Sequence, residues 1–365
     1  MPEPAIQPGV ALAPRSSLRV GGPARWFMQA VSAADVAAAH AWSRSHGVPM
    51  LVLGGGTNVV VADAGLDALV VAVQPRGLAI VEDGGTLTVT AAAGEPWDGV
   101  VEAAVARGGA GLECLSGIPG LTGGTPIQNV GAYGQDVSGV IDAVVAFDTV
   151  AGAMTRLPAA ECGFAYRTSR FKAHDAGRFV VCEVTFRLQK GPPTTAYAEV
   201  AAALARQQIA QPSVADVRAT VIDIRRRKAM VIDEGDPDTR SVGSFFTNPI
   251  VTPAEADRAA SRAGAAAAVF PQPDGRVKLP AAWLIERAGF ARGTRDGAVG
   301  LSSRHTLAIV TREGATAADV IRFAARVARR VEDVFGVRLR PEPVFLGFAG
   351  GEAQPDVDYL LGARN

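Results

Sequence analysis

The sequence predicts an α+β fold of two or three domains. Three observations carry that expectation. Apolar stripes at helical spacing stand behind the capping residues Ser32, Ser213 and Thr316. Short β-rich runs lie between them and pair off as antiparallel hairpins, most plainly at 78–93 around an Asp-Gly-Gly turn. Two uncharged glycine-rich loops, at 54–58 after a strand-like run and at 117–134 after a helical one, both lead into further strands. With 365 residues, 48% of them hydrophobic, the chain can enclose more than one core.

Residues 1–18, with four prolines, read as a loosely ordered arm. A strand is expected over 25–31, then a helix opening at Ser32, where Asp35 is spaced to complete a capping box and Gly47 supplies the stop. Residues 50–53 are a short buried strand that runs into Gly54-Gly55-Gly56-Thr57-Asn58. The next runs, 59–61 and 69–71, are again β-like, whereas a Rossmann or Walker loop must open directly into a helix. The chain also lacks GxGxxG at this point, so the classical dinucleotide fold is set aside.

After the hairpin comes a helix over 97–107, closed by Gly108-Gly109, then the second glycine loop and strands at 143–147 and 179–188. Lys190-Gly191-Pro192-Pro193 interrupts this pattern. A helix over 197–207 precedes a domain boundary expected near 212, and Val214, Val217, Val221 and Ile224 form the apolar face of the following helix, which ends in Arg225-Arg226-Arg227-Lys228. The alanine-rich run 263–268 reads as loop or helix end. The last long helix, 316–335, has Thr316 and Asp319 as its box, Val320, Phe323, Val327, Val331 and Val334 as its stripe and Gly336 as its stop; it delivers a strand to Arg340-Pro341-Glu342.

Formal net charge is zero, which provides no basic field for nucleic acid or an anionic membrane surface. Cys114, Cys162 and Cys182 cannot all pair and show no CxxC spacing, as expected of reduced core thiols in the cytoplasm. No basic segment followed by a long apolar stretch opens the chain, and no apolar run reaches the length of a membrane span. A soluble, unprocessed monomer without a metal is expected.

The loop 117–134, GIPGLTGGTPIQNVGAYG, combines six glycines and two prolines with Ile118, Leu121, Ile127, Val130 and Tyr133, and has no charge. A flexible linker would lack the bulky apolar residues. Two readings stand: tight turns between strands, or an ordered cradle whose bare N–H groups meet a polar ligand. Thr57 and Asn58 add a hydroxyl and an amide suited to diphosphate oxygens.

Three further segments are read in two ways. Residues 162–172 interleave aromatics with Arg167, Arg170 and Lys172, which suits a solvated edge strand or an Arg167 that grips a carboxylate in bidentate fashion. Ser244, between Gly243 and Phe245-Phe246, is a turn serine or a proton donor; none of the four histidines sits in a hydrolase signature that would make it a nucleophile. Glu342, between two prolines, is a turn carboxylate or a buried acid kept protonated by desolvation.

Taken in order, these segments resemble the UDP-N-acetylenolpyruvoylglucosamine reductase family over nearly the whole chain. The carriers are Arg19-Val20-Gly21-Gly22-Pro23-Ala24, GGGTN at 54–58, GIPG through GAYG at 117–134, FAYR at 164–167, GSFFTNP at 243–249, KLPAAWLIERAG at 278–289 and PE at 341–342. The resemblance implies a two-part FAD-binding region of the vanillyl-alcohol-oxidase type, 1–75 joined by 344–365 and 76–212, with an α+β substrate-binding domain over 213–343. It implies flavin contacts at Gly54, Gly55, Gly56, Thr57, Asn58, Gly123, Gly124, Ile127, Gly131 and Val181. Substrate contacts are implied at Tyr133, Arg225, Lys228, Asn248, Lys278 and His305, and catalytic roles for Arg167, Ser244 and Glu342.

The implied reaction is the NADPH-dependent reduction of UDP-N-acetylglucosamine enolpyruvate to UDP-N-acetylmuramate in peptidoglycan synthesis. Hydride would pass from flavin N5 to C3 and a proton from Ser244 to C2, with Arg167 and protonated Glu342 stabilising charge at the substrate carboxylate. Two departures are visible: Phe270 stands where the family often has tyrosine, and the segment 228–243 has a different length. Tyr197 resembles the mobile-loop tyrosine of one subgroup. The alternatives are a flavin-dependent oxidase, for which Cys114 is the thiol nearest the second glycine loop, and a noncatalytic FAD or UDP-sugar binding protein.

Overall fold

The computed structural model describes residues 5–362. The chain divides into two compact units. The first comprises the described part of Met1–Val10 with Ala24–Gly56 and Asp67–Val231; the second comprises Ala11–Pro23, Thr57–Leu66 and the described part of Ile232–Asn365.

Two large sheets build most of the first unit, beside a two-stranded ribbon of Gly131–Ala132 with Gln135–Asp136. In one, the strands run in the order Gln7–Ala11, Pro23–Ala30, Leu66–Val73, Met50–Leu53, the last two parallel with Leu51 opposite Val70. The other is antiparallel, in the order Ala153–Pro158, Ile141–Asp148, Phe179–Lys190, Thr86–Ala92, Leu78–Asp83. A single apolar cluster joins Met28, Leu69 and Val71 of the first sheet to Val89, Val144 and Phe186 of the second, and includes Trp97 and Val100 of the helix Trp97–Val105. Trp97 is fully enclosed, and its Nε1–H donates to the Leu115 carbonyl at 3.1 Å, so the largest core ring leaves no polar atom unpaired.

The helix Ala33–His46 begins where the sequence placed it. Ser32 Oγ accepts the Asp35 N–H, but the Asp35 carboxylate takes the Val31 N–H, one residue earlier than a capping box requires. Residues 7–11 form an edge strand where an unstructured arm was expected; residues 1–4 of that arm lie outside the described residues.

The domain boundary also differs. The helix Val214–Arg227 opens with a complete Ser213–Asp216 box, yet it belongs to the first unit, and the division falls after Val231. Its face of Val217, Val221 and Ile224 packs on Cys114 and on Val200 and Leu204 of the helix Ala198–Arg206. Arg218 adds a bidentate pair with Asp98 at 2.6 and 2.9 Å. Conversely, residues 11–23 and 57–66, expected with the first 75 residues, group with the C-terminal half.

In the second unit the helix Ala317–Phe335 is the spine. Its buried stripe of Val320, Phe323, Val327 and Val331 packs in one cluster with Phe245, Phe246, Leu284, Ile285 and Ile309. Asp63 caps it from a distance: its carboxylate accepts the N–H groups of Ala317 and Ala318 at 2.7 and 2.9 Å, and the Thr316–Asp319 box satisfies the rest of the first turn. A sheet ordered Ser241–Ser244, Ala308–Thr311, Val299–Leu301, Arg295–Asp296 lies beside it, and Val59–Val61 pairs in parallel with Val344–Leu346. The helix Pro253–Ala263 stops at Gly264 in the left-handed region (φ 60°), so the alanine run is a helix end and loop.

Asp238 is the electrostatic anchor of this unit. Its buried carboxylate accepts from Ser302 Oγ, Ser303 N–H, Ser303 Oγ and the Arg312 guanidinium. Burial alone would raise its pKa; the bonds from Ser303 and Arg312 outweigh that and hold it at about 2. Because the folded value lies below the unfolded one of about 3.9, this contribution is complete above pH 4 and fades as pH falls towards 2. Asp238→Asn should therefore cost about 3 kcal/mol at neutral pH, and the penalty should shrink in acid. Chemical unfolding followed at pH 7 and pH 3 checks both; an equal penalty at the two values contradicts the assignment.

All three cysteines are free and buried. No helix among the described residues is long and apolar enough to cross a membrane.

Candidate active site

In the first unit the glycine loop 117–134 is sewn onto two neighbours. Gly123 N–H donates to the Ala93 carbonyl, and Ala93 N–H donates to Cys182, next to Val181 on the strand Phe179–Lys190. A methyl group on Gly123 would lie 2.6 Å from the Ala93 Cβ, and one on Gly55 would lie 3.0 Å from the Gly120 Cα, so glycine is required for the two loops to meet their backing. The other neighbour is the FAYR segment. Ser169 Oγ donates to the Ile127 carbonyl, Asn129 donates to the Ala165 carbonyl, and the Arg167 guanidinium donates to the carbonyls of Asn129 and Gly131. Tyr166 lies 5.5 Å from the Arg167 guanidinium carbon. The two motifs, 30 or more residues apart in sequence, form one local structure.

Asn129, Tyr133 and Arg167 all have left-handed backbones, with φ of 48°, 49° and 55°. Such conformations cost roughly 1–3 kcal/mol each for a non-glycine residue and gather at ligand sites. The loop's entrance is fixed by a residue that sequence reading missed: Asp98 accepts the Gly117 N–H at 2.6 Å while it pairs with Arg218. Burial would raise the Asp98 carboxyl, but Arg218 and the Gly117 N–H together bring it below the usual range. Glu113 is missed too. Although fully buried, its carboxylate accepts from Gly111 N–H, Thr194 N–H and Gln135 Nε2, and so fixes the stretch that follows Tyr133. Nothing local in the sequence announces either partner set.

Beyond the loop, Tyr133 gathers the two cations at the end of the helix Val214–Arg227. Arg225, which is 5% exposed, donates Nη2 to the Met230 carbonyl at 2.8 Å, and its charge acts on the Tyr133 phenol. Burial lowers the proton affinity of Arg225, partly offset by Tyr133, and pushes the Tyr133 phenol up to about 12. Lys228 Nζ lies 5.7 Å from the Tyr133 ring centre. The phenol therefore keeps its proton at neutral pH, next to two positive charges.

The second unit assembles a different set. Ser244 ends its strand opposite Ala308, at an irregularity that Gly243 permits with φ 74°. The chain then pairs with the 340–342 segment: Glu342 N–H donates to the Phe245 carbonyl at 2.8 Å, Phe246 bridges Pro341, and Thr247 N–H donates to Arg340. Asn58 Nδ2 donates to the Glu342 carbonyl at 3.4 Å, and Val344 N–H donates to Asn58. Glu342 is half-buried, not enclosed as the expectation of a buried acid had it. Phe245 N–H donates to Leu307, two residues after His305. Asn248 Oδ1 takes the Ala281 N–H at 2.9 Å, and Lys278 pairs with both Ile250 and Phe270. Lys278 Nζ stands 5.9 Å from the Phe270 ring centre, a contact that needs no hydroxyl.

Thus Ser244, Glu342, Asn58, Asn248, Lys278 and His305 belong to the second unit. Gly54, Gly55, Gly56, Gly123, Gly124, Ile127, Gly131, Val181, Tyr133, Arg167, Arg225 and Lys228 belong to the first, and Thr57 to the second.

The loop residues fit a flavin dinucleotide. Gly54 and Gly124 have no atom within 4 Å of the position a Cβ would take, so bare backbone borders open space in both loops, and the donors offered there are uncharged N–H groups. Those residues would hold the diphosphate and ring edge without a cation that competes for the substrate.

Comparison with known proteins agrees. Residues 24–153 match the family model described as FAD binding domain, and residues 236–346 match that described as UDP-N-acetylenolpyruvoylglucosamine reductase, C-terminal domain. The second match starts close to the observed division after Val231. The UDP-N-acetylenolpyruvoylglucosamine reductase of Thermobifida fusca (strain YX) is 47% identical over 93% of this chain and 97% of its own length. That of Salinispora arenicola (strain CNS-205) is 46% identical over 92% and 94%. The crystal structure of the enzyme of that name from Thermus caldophilus superposes with a TM-score of 0.64 at 24% identity, covering 94% of this chain and all of that one, which shows the shared fold. Identity of this order across nearly the whole of both chains, with both family models matched, places this chain in the UDP-N-acetylenolpyruvoylglucosamine reductase family.

Proposed function

We propose that this protein is the cytoplasmic, FAD-dependent oxidoreductase that uses NADPH to reduce UDP-N-acetylglucosamine enolpyruvate to UDP-N-acetylmuramate. The observation that carries the reading, beside family membership, is the backbone pairing of 245–247 with 340–342, which holds Ser244 and Glu342 in fixed register within one unit.

When bound, FAD supplies the two-electron reductant, charged by NADPH and discharged onto the enolpyruvyl C3. The protein's own groups handle charge and protons. Arg167, oriented by the carbonyls of Asn129 and Gly131, pairs its guanidinium with the substrate carboxylate. A proton carried by Glu342 adds a second donor, and the two draw off the negative charge that builds on the carboxylate side as C3 is reduced. C2 is then strongly basic, so the neutral Ser244 hydroxyl suffices as its proton source and no histidine is needed. Lys228, Lys278, Arg225 and Asn248 hold the diphosphate and uridine as charges and amide donors, and Tyr133 and His305 complete the binding set.

The test is anaerobic and uses the flavin's own colour. NADPH should bleach the purified yellow protein, and the enolpyruvyl sugar nucleotide, added next, should restore the colour with formation of UDP-N-acetylmuramate. Protein that is colourless and binds no FAD, or that bleaches but is not reoxidised by this substrate, overturns the reading.

A further inference from the structure

The roles assigned so far leave Glu199 unused. It lies in the first turn of the helix Ala198–Arg206, two residues after Tyr197, and its Oε2 accepts a hydrogen bond from Lys228 Nζ at 2.6 Å. The pair sits inside the Tyr133 cluster: Tyr197 meets the Tyr133 ring edge-on at 5.4 Å, Lys228 lies 5.7 Å from the same ring, and the buried Arg225 acts on the same phenol through its charge. Arg225 is 95% or so enclosed at 5% exposure, and its Nε–H has no partner among the described residues. A buried guanidinium with one unused N–H and a lysine already holding an anion therefore both act on Tyr133. Together they have the donor set of an anion site, and a carboxylate of the protein occupies part of it.

We propose that Glu199 is a built-in competitor for the ligand's phosphate charge: it holds Lys228 in the free protein and has to be displaced before a diphosphate can engage that lysine. The inference rests on the placement of Lys228 at the substrate diphosphate. A tethered carboxylate is present at high effective concentration, so a neutral sugar or a singly charged ligand gains too little from Lys228 to evict it. A nucleoside diphosphate brings two or more negative charges and a second partner in Arg225, and prevails. Displacement is cheap for Glu199 itself, because the N-terminal turn of its own helix still favours a negative charge there. Glu199 thus sets a threshold of ligand charge, which makes it a specificity determinant acting through Lys228 and not a group that touches the reacting atoms.

The measurement is calorimetric titration of UDP into the FAD-loaded protein, at low and at high salt. Glu199→Gln keeps the length of the side chain and removes its charge, and should bind UDP about fivefold more tightly at low salt, equivalent to about 1 kcal/mol, with a smaller gain at high salt. In a Lys228→Met background the same change should give no gain, since the competition has lost its object. Glu199→Asp, which keeps the charge, should stay near the wild-type affinity. UDP binding that is equal or weaker in Glu199→Gln, or a gain that persists without Lys228, overturns the inference while the functional reading stands. UDP that binds to none of these proteins overturns the placement of Lys228 and both conclusions with it. Equal melting temperatures for the variants separate these outcomes from a folding defect.

Discussion

Ser244→Ala is expected to leave the flavin bound and the substrate affinity near normal, while reoxidation of the reduced flavin by the enolpyruvyl substrate slows at least about a hundredfold. The position allows a clean experiment. Ser244 is half-buried, whereas Phe245 and Phe246 beside it are enclosed and supply the packing, so loss of one hydroxyl opens no sizeable cavity. Its backbone is held by the neighbouring pairing of Phe245 with Leu307 and Glu342, which does not involve the side chain. A defect would thus report a lost proton, not a moved strand. Stopped-flow mixing of pre-reduced protein with substrate isolates this half-reaction from reduction by NADPH; an unchanged rate would remove Ser244 from the role.

Arg167→Lys should be nearly as damaging, with a loss of about 3 kcal/mol of transition-state stabilisation, or a hundredfold and more in turnover. Charge is retained by the substitution and geometry is not. The planar guanidinium reaches two loop carbonyls at once, a fixed geometry that an ammonium on a flexible stem cannot reproduce. The left-handed backbone at 167 burdens lysine and arginine alike, so strain does not differ between the two proteins. The expected pattern is a fall in kcat with flavin content preserved. Wild-type turnover in Arg167→Lys would mean that positive charge alone is enough and that the bidentate arrangement has no catalytic value.

Local signals in the sequence were informative, and distant ones were silent. Ser213 with Asp216 and Thr316 with Asp319 close as capping boxes because a box is decided within four residues. The strand Ala153–Pro158 escaped notice because it is an edge strand, largely exposed, and carries no apolar alternation. Residues 7–11 include Pro8 and Gly9, which read as a breaker in isolation, yet an edge position tolerates both. The boundary near 212 failed for a different reason. Spacing shows that the helix Val214–Arg227 has an apolar face but not which body that face meets, and the answer depends on Cys114, Leu204 and Asp98, up to 120 residues away. The same limit hid Asp63, Asp98 and Glu113, whose carboxylates bind N–H groups that only the fold brings near. The glycine loop and the FAYR segment were each conspicuous; that Ile127, Asn129 and Gly131 present their carbonyls to Ser169 and Arg167 is decided by the folded chain alone.

The left-handed backbones at Asn129, Tyr133 and Arg167 carry a lesson for anyone hardening this protein. Glycine would relieve the backbone at each of the three, but it would also remove the side-chain bonds by which Asn129 and Arg167 hold the loop and the FAYR segment together, and with them the arms that make the protein useful. Screens for robustness should therefore hold these three codons constant and seek their gains elsewhere.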